Sequence, residues 1–269
     1  MTDAKTEAAR TAAAAAPRRL FGVVVDPLTM DETVARCLTA VRDRERLEIG
    51  VVNAAKLVRM QRDPQLAAAV TGCGLVLADG AAVVWAARLL GTPLPERVAG
   101  IDLFMRLLGE AEAAGLSVYF LGARPAVLEL MLHQVARRFP ALRVAGSRDG
   151  YFADAERGAI ADEIAASGAQ LLFLGMTSPR KELFTGGYAE RSGALLVHGV
   201  GGSFDILAGI TRRAPERWQR LGLEWLYRAL QEPRRLGGRY LRTNTRFIVM
   251  TGQELVRRRA AGHATRGQG

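Results

Sequence analysis

Cysteine is scarce in this sequence, since Cys37 and Cys73 are the only two. Two thiols are too few for a disulfide framework or a cysteine-ligated metal site, and they indicate a reducing cytoplasm. No uninterrupted apolar run is long enough to cross a membrane, so no membrane-spanning helix is expected. Residues 1–19 lack the apolar core of a secretory signal, and we expect them to form a disordered tail.

Metal-binding patterns are also missing. The histidines His133, His198 and His263 are scattered, and the sequence contains neither an H-E-x-x-H pair nor an Asp-x-Asp motif. His198 lies in an apolar segment, which favours a hydrogen-bonded core histidine over a metal ligand. We therefore expect no metal and no other cofactor, and arginines are the obvious groups to neutralise a phosphate of any substrate.

Positive charge is concentrated at one end of the chain. The formal net charge is +10, yet the first 209 residues contain 23 basic and 23 acidic side chains. Residues 210–269 contain 14 arginines and 4 glutamates, with no lysine and no aspartate. A segment of this kind is expected to face anionic lipid, nucleic acid or phosphates.

Apolar segments typical of strands alternate with helical patterns over residues 20–209. The predicted strands are 20–25, 47–53, 75–78, 116–123, 141–146, 169–176 and 194–202. This order predicts an α/β fold with a Rossmann-like, mostly parallel sheet and helices on both faces. We expect a helical basic appendage over residues 210–260, broken at Pro233, and a second disordered tail over residues 261–269.

Three predicted strand ends carry glycine before a helix, at Gly122, at Gly175 and at Gly201–Gly202. Glycine lets a phosphate or sugar approach the backbone, and a helix N-terminus attracts anions. Tight packing alone could explain any one loop, but three loops at the same sheet edge favour a nucleotide-type ligand. No Walker motif occurs, and "GVGGSFD" lacks the last glycine of a dinucleotide fingerprint.

Asp79 lies between a predicted strand and a predicted helix in "LVLADGAAVVWAARLLG". One interpretation makes it the N-cap of the helix, with its carboxylate accepting a backbone N–H. The other makes it a general base at the carboxyl edge of the sheet. Local pattern alone favours the cap.

Long motifs follow one another in a fixed order. They are ADGAAVVWAARLLGTPLPERVAGIDL (78–103), DGYF (149–152), LGMTSPRKE (174–182), GVGGSFDILAG (199–209) and RAPERWQRLGLEWLYRALQEPRRLGGRYL (213–241). Together they resemble the motifs of the WecG/TagA/CpsF glycosyltransferases (glycosyltransferase family 26), roughly over residues 20–247. The resemblance implies an inverting, metal-independent enzyme that moves an N-acetylmannosamine-type sugar from UDP to a polyprenyl-diphosphate-linked sugar. It also implies a helical appendage that completes the active site and reaches the membrane.

The same resemblance implies partners and products. The expected partners are a UDP-sugar donor, a polyprenyl-diphosphate-linked acceptor and the anionic inner face of the cell membrane. Nucleic acid is not expected as a partner, and a homo-oligomer is left open. Products of the family include teichoic acid linkage units and exopolysaccharides.

Residue roles follow from the matched motifs. Asp79 matches the proposed general base, Asn53 matches the asparagine of a T-x-N turn, and Arg97 matches the arginine of E-R-V. The expected substrate-binding residues are Gly122, Gly175, Lys181, Glu182, Gly201, Gly202 and Asp205, with Arg228, Arg235 and Arg239 as a diphosphate clamp. Any one of these arginines could instead be a solvated surface residue.

Two positions depart from the family pattern. Val51 replaces a threonine, and Lys181 replaces the glutamine of P-x-Q-E. Lys181 could pair with the carboxylate of a uronic-acid donor or add positive charge against the diphosphate. Trp218, Trp225 and Leu226 share one helical face that either inserts in the membrane interface or packs on the core.

Two rival functions remain. An arginine-rich tail is also typical of a nucleic-acid-binding protein. A catalytically degenerate family member would account for the changes at Val51 and Lys181, although the presence of Asp79, Asn53 and Arg97 argues against it.

Overall fold

A parallel sheet organises the chain. The computed structural model describes residues 16–231, 233 and 237–266. The strands are β1 Arg18–Leu20, β2 Val23–Val25, β3 Leu47–Val52, β4 Leu75–Ala78, β5 Ser117–Gly122, β6 Arg143–Arg148, β7 Leu171–Gly175 and β8 Leu196–His198. Strands β3 to β8 pair in the order β4-β3-β8-β7-β5-β6, and every pair is parallel. The predicted Rossmann-like α/β fold is confirmed.

Helices cover both faces of this sheet. They are α1 Met30–Arg42, α2 Ala54–Met60, α3 Pro64–Thr71, α4 Ala81–Leu89, α5 Gly100–Ala113, α6 Pro125–Arg138, α7 Arg157–Ser167, α8 Arg180–Tyr188, α9 Ser203–Leu207, α10 Glu216–Arg220, α11 Glu224–Gln231 and α12 Gly238–Arg266. One face packs against α1, α5, α6 and α9. The other face packs against α2, α3, α4 and α12 at one end and against α7 and α8 at the other.

The first predicted strand, residues 20–25, is wrong as a single element. Phe21 and Gly22 have positive φ values of 51° and 85° and form a two-residue turn between β1 and β2. Positive φ at both positions is the geometry of a tight hairpin turn. Asp26, just after β2, receives the backbone N–H of Val76 on its carboxylate at 2.7 Å, so the hairpin is tied to edge strand β4.

The C-terminal helices differ from the prediction in two ways. A break precedes Pro233, because Gly222 adopts a left-handed φ of 71° between α10 and α11. Helix α12 continues to Arg266, into a segment expected to be disordered. Phe247 of α12 is buried in the core, and Arg258 donates to the carbonyls of Leu90 and Arg19 at 2.9 and 2.6 Å. Within the described residues, no helix is long and apolar enough to cross a membrane.

Gly175 illustrates how tightly the strand ends pack. A Cβ atom at Gly175 would lie 2.2 Å from the ring of Phe204, which is fully buried against Phe104 and Phe120. A Cβ atom at Gly122 would lie 2.4 Å from the backbone of Gly175. These two glycines therefore serve packing between neighbouring strands and α9.

We expect Gly175→Ala to lower the free energy of unfolding by about 1–3 kcal/mol, because the added methyl group cannot fit beside Phe204 without moving it. Urea denaturation measures this change. Gly187→Ala is the matched control, since a Cβ atom there meets nothing within 4 Å and helix α8 accepts alanine. Equal stability of Gly175→Ala and wild type would show that Gly175 is not required for packing.

Candidate active site

A cleft of about 1670 Å³ lies at the carboxyl ends of β3, β4, β7 and β8. Its walls also include α2, α4, the start of α11 and part of α12. This volume exceeds the roughly 300–1,000 Å³ of ordinary small-molecule pockets, so the cleft has room for two substrates. Strand β8 lies between β3 and β7, so the segments that follow these three strands meet at the carboxyl edge of the sheet, where open α/β sheets bind ligands.

Asp79 lines this cleft directly after β4. Its backbone N–H donates to the carbonyl of Val52 at 2.8 Å, which continues the pairing of β4 with β3. Gly80 then turns the chain with φ of 128° and occupies the N-cap position of α4, which has no side-chain cap. The helix-cap interpretation of Asp79 is therefore wrong, and the half-buried Asp79 lies in the wall of the cleft.

Asn53 lines the cleft after β3 and has a structural role of its own. Its side-chain Oδ1 accepts the backbone N–H of Lys56 at 2.9 Å and so caps α2. A Cβ atom placed on Gly80 would lie 3.7 Å from the Cβ of Asn53, so the two neighbouring strand ends bring Asn53 close to Asp79. The cap fixes the orientation of this side chain at the cleft wall.

Two lysines and one glutamate form a buried charged cluster at the floor of the cleft. Lys56 Nζ lies 2.7 Å from Glu182 Oε1, with side chains that are only 9% and 7% exposed. Lys56 also donates to the carbonyl of Val51. Lys181 Nζ lies 3.8 Å from the same Glu182 oxygen. Burial raises the pKa of Glu182, but the two ammonium groups more than offset this and lower it below its ordinary value.

An ion-pair network ties the C-terminal segment to the cleft. Arg97 donates to Glu224 at 2.6 Å, and Arg213 donates to both carboxylate oxygens of Asp102 at 2.6 and 2.7 Å. Arg213 Nε also lies 3.8 Å from Glu224. Arg97, Arg213 and Glu224 all line the cleft. Glu224 therefore joins α11 to two arginines of the cleft wall.

Close packing at Gly222 supports the same docking of the C-terminal segment. A Cβ atom at Gly222 would lie 2.3 Å from the Cβ of Ala81, at the start of α4. The segment between α10 and α11 thus lies directly against the helix that follows Asp79. Residues from both the sheet and the C-terminal helices form one cleft.

The structure brings together some of the residues that the sequence singled out and separates others. The cleft is lined by Asn53, Asp79, Arg97, Lys181, Gly201 and Gly202. Gly122 and Gly175 do not line the cleft, and the close approach of backbone or ring atoms accounts for a glycine at each position. Glu182 does not line the cleft but pairs with the two lysines at its floor, and Asp205 lies on α9, outside the lining and near Arg124.

The predicted diphosphate clamp stays a prediction. Arg228 and Arg239 lie on α11 and α12, where the structure describes the backbone but not these side chains, and Arg235 lies outside the described residues. Sequence reasoning missed Lys56, Arg213 and Glu224. Two of them could have been found from the sequence. Lys56 lies one helical turn after Asn53, and Arg213 is the first residue of the motif that begins RAPER.

His198 is a core residue, as the sequence indicated. Its ring is fully buried, and Nε2 lies 3.2 Å from the carbonyl of Gly100, to which it donates. Burial is the main cause that lowers its pKa to about 4, so the ring is neutral at physiological pH. In the described part of the chain, no three His, Cys, Asp or Glu side chains cluster in a way that could hold a metal ion.

Comparisons with known proteins agree with this architecture. A sequence profile of the Glycosyl transferase WecG/TagA/CpsF family matches residues 18–261. The N-acetylglucosaminyldiphosphoundecaprenol N-acetyl-beta-D-mannosaminyltransferase of Bacillus spizizenii is 37% identical over 174 residues, which is 65% of this chain and 67% of that relative. The matched range contains all strands of the sheet, all residues that line the cleft and the C-terminal helices as far as residue 261. The chain therefore belongs to the WecG/TagA/CpsF family of glycosyl transferases.

Proposed function

We propose that this glycosyltransferase moves N-acetylmannosamine, its uronic acid or a related hexose from a UDP-sugar to a polyprenyl-diphosphate-linked acceptor, with inversion and without a metal. The position of the Asp79 carboxylate, at the carboxyl end of β4 in a cleft large enough for two substrates, carries this proposal. The Bacillus spizizenii relative supports the proposal, because its name describes the transfer of an N-acetylmannosaminyl group to a diphosphoundecaprenol-linked sugar. Such a reaction belongs to bacterial cell-surface polysaccharide synthesis.

The proposed reaction is a single displacement. Asp79 accepts the proton of the acceptor hydroxyl, and the oxygen attacks the anomeric carbon of the donor. The new glycosidic bond forms as the bond to the β-phosphate oxygen breaks, and the electron pair leaves with UDP. Asn53 caps α2 and lies beside Asp79, so its side chain is placed to orient a sugar.

Positive side chains of the cleft take over the role that a metal ion has in other glycosyltransferases. Arg97, Arg213 and Lys181 line the cleft and can stabilise the charge that develops on the leaving diphosphate. Arg97 and Arg213 are held in place by Glu224 and Asp102, so their guanidinium groups are positioned before substrate binds. Preorganised cations of this kind need no rearrangement during the reaction.

Apolar side chains at the cleft mouth fit a lipid-linked acceptor at the inner face of the membrane. Trp85 and Leu89 of α4 are 59% and 58% exposed, and Trp225 of α11 and Ile248 of α12 are also exposed. All four line the cleft, and the neighbouring Arg246 adds positive charge. Arginines near anionic headgroups contribute about 1 kcal/mol each to membrane binding. Trp218, in contrast, is half-buried and packs on Tyr227. The helical face with Trp218 and Trp225 therefore has one residue that packs on the protein and one that is exposed at the cleft.

We expect Asp79→Asn to lower turnover by about 100- to 10,000-fold, because asparagine cannot accept the proton. The assay uses UDP-N-acetylmannosamine and a short-chain polyprenyl-diphosphate-N-acetylglucosamine, with a chelator present because no metal is required. Binding of UDP should change by less than about threefold, since the base faces the acceptor hydroxyl.

Asp162→Asn is the matched control for Asp79→Asn. Asp162 is exposed, pairs with Arg191 and does not line the cleft, so turnover should stay at the wild-type value. Undiminished turnover of Asp79→Asn would refute the assignment of the base. An inactive wild type across UDP-sugars would instead favour a degenerate family member.

We expect the protein to sediment with anionic vesicles. The double variant with Trp85→Ser and Trp225→Ser should reduce the bound fraction several-fold, because it removes exposed apolar area. A gel shift with RNA at several salt concentrations is the companion measurement. Salt-sensitive RNA binding without vesicle binding would overturn the membrane assignment and favour a nucleic-acid-binding protein. Val256→Ser on α12 is the control, since Val256 is exposed but lies outside the cleft.

A further inference from the structure

Lysine is rare in this arginine-rich chain, and its positions are informative. The sequence contains three lysines, Lys5, Lys56 and Lys181, among 37 basic residues. Lys56 and Lys181 both belong to the buried cluster at the cleft floor. A lysine ammonium is a compact point charge, whereas arginine presents a wide planar fork. The two lysines indicate that this confined space needs compact cations.

The cluster carries an excess of positive charge. Glu182 supplies one carboxylate for two ammonium groups, and the two distances are unequal, 2.7 Å for Lys56 and 3.8 Å for Lys181. Lys56 has a second acceptor in the carbonyl of Val51. Glu182 therefore holds Lys181 less closely than it holds Lys56, and the carboxylate of Asp79 is the second negative charge that acts on Lys181.

The glycine loop after β8 gives Lys181 its access to the cleft. A Cβ atom at Gly199 would lie 3.1 Å from Lys181 Cδ, and one at Gly201 would lie 3.0 Å from Lys181 Nζ. Side chains at these positions would crowd the lysine. The glycines of "GVGG" therefore make room for Lys181, whose side chain is 14% exposed and lines the cleft.

We propose that Lys181 Nζ binds the diphosphate of the donor nucleotide and sets the affinity of the site for it. This inference rests on the proposed function, since it assumes a nucleoside-diphosphate donor. A diphosphate fits better than a sugar carboxylate because Lys181 Nζ lies beside glycine backbone, which a phosphate can approach closely. The loop also follows β8 at the carboxyl edge of the sheet, where open α/β sheets bind ligands.

Charged groups on the surrounding elements determine the pH range in which Lys181 is protonated. Burial and the ammonium of Lys56 on α2 lower the pKa of Lys181 to about 8, while Glu182 on α8 and Asp79 after β4 act in the opposite direction. His198 on β8 is neutral at this pH. Lys181 is thus charged below about pH 8 and loses its charge above it, so donor binding should weaken as pH rises through this range.

Calorimetric titration with UDP tests the proposal. At pH 7 we expect Lys181→Gln to bind UDP about tenfold more weakly than wild type, the effect of roughly 1.4 kcal/mol from one charge-assisted hydrogen bond. Between pH 7 and pH 9 the wild type should lose affinity several-fold more than Lys181→Gln does. Lys181→Met, which keeps the unbranched stem, should behave like Lys181→Gln if the charge is what matters.

Arg180→Gln is the matched control, because Arg180 donates to the carbonyl of Phe152 and lies outside the cleft lining. Its UDP affinity should equal that of wild type. Equal UDP affinity and equal pH dependence for Lys181→Gln and wild type would overturn the proposal while leaving the proposed function intact. If Lys181→Gln lost affinity only for UDP-hexuronic acids and not for UDP, the proposal would also be overturned, and Lys181 would be assigned to a sugar carboxylate. A wild type that does not bind UDP would refute the proposed donor and this inference together.

Discussion

Parallel pairing of β3 with both β4 and β8 is the constraint on which the site depends. Because these strands run in the same direction, the chain segments that follow them emerge at one edge of the sheet. Asn53, Asp79 and the glycine loop from Gly199 are therefore brought together although they are distant in sequence. The hairpin of β1 and β2 and the helices on both faces keep the edge strand β4 in place, and with it the backbone that positions Asp79.

Charge burial marks this edge as a functional one. Removing an ionised side chain from water costs several kcal/mol unless a partner compensates, and the two lysines share a single buried carboxylate. Arg97, Arg213 and Glu224 extend the network to the C-terminal helices. An apolar cluster of similar volume would stabilise the fold as well as these charges do, so the buried charges are consistent with the anionic substrate proposed above.

Much of the fold follows from local pattern, whereas the site follows only in part. Apolar strands alternating with helices predict the parallel sheet and place Asp79 at its edge. Local pattern could not exclude Asp79 as the N-cap of α4, because that position is taken by Gly80, which adopts a positive φ of 128°. Gly122 and Gly175 look like ligand loops in the sequence, but their close neighbours are backbone and ring atoms from distant segments.

The most direct test of the central claim, that one cleft at this sheet edge performs the transfer, is a crystal structure of the wild-type protein with UDP. The account predicts the diphosphate at the glycine loop from Gly199 to Gly202, in the same cleft as the Asp79 carboxylate. UDP bound elsewhere on the protein, with Asp79 remote from its diphosphate, would contradict it.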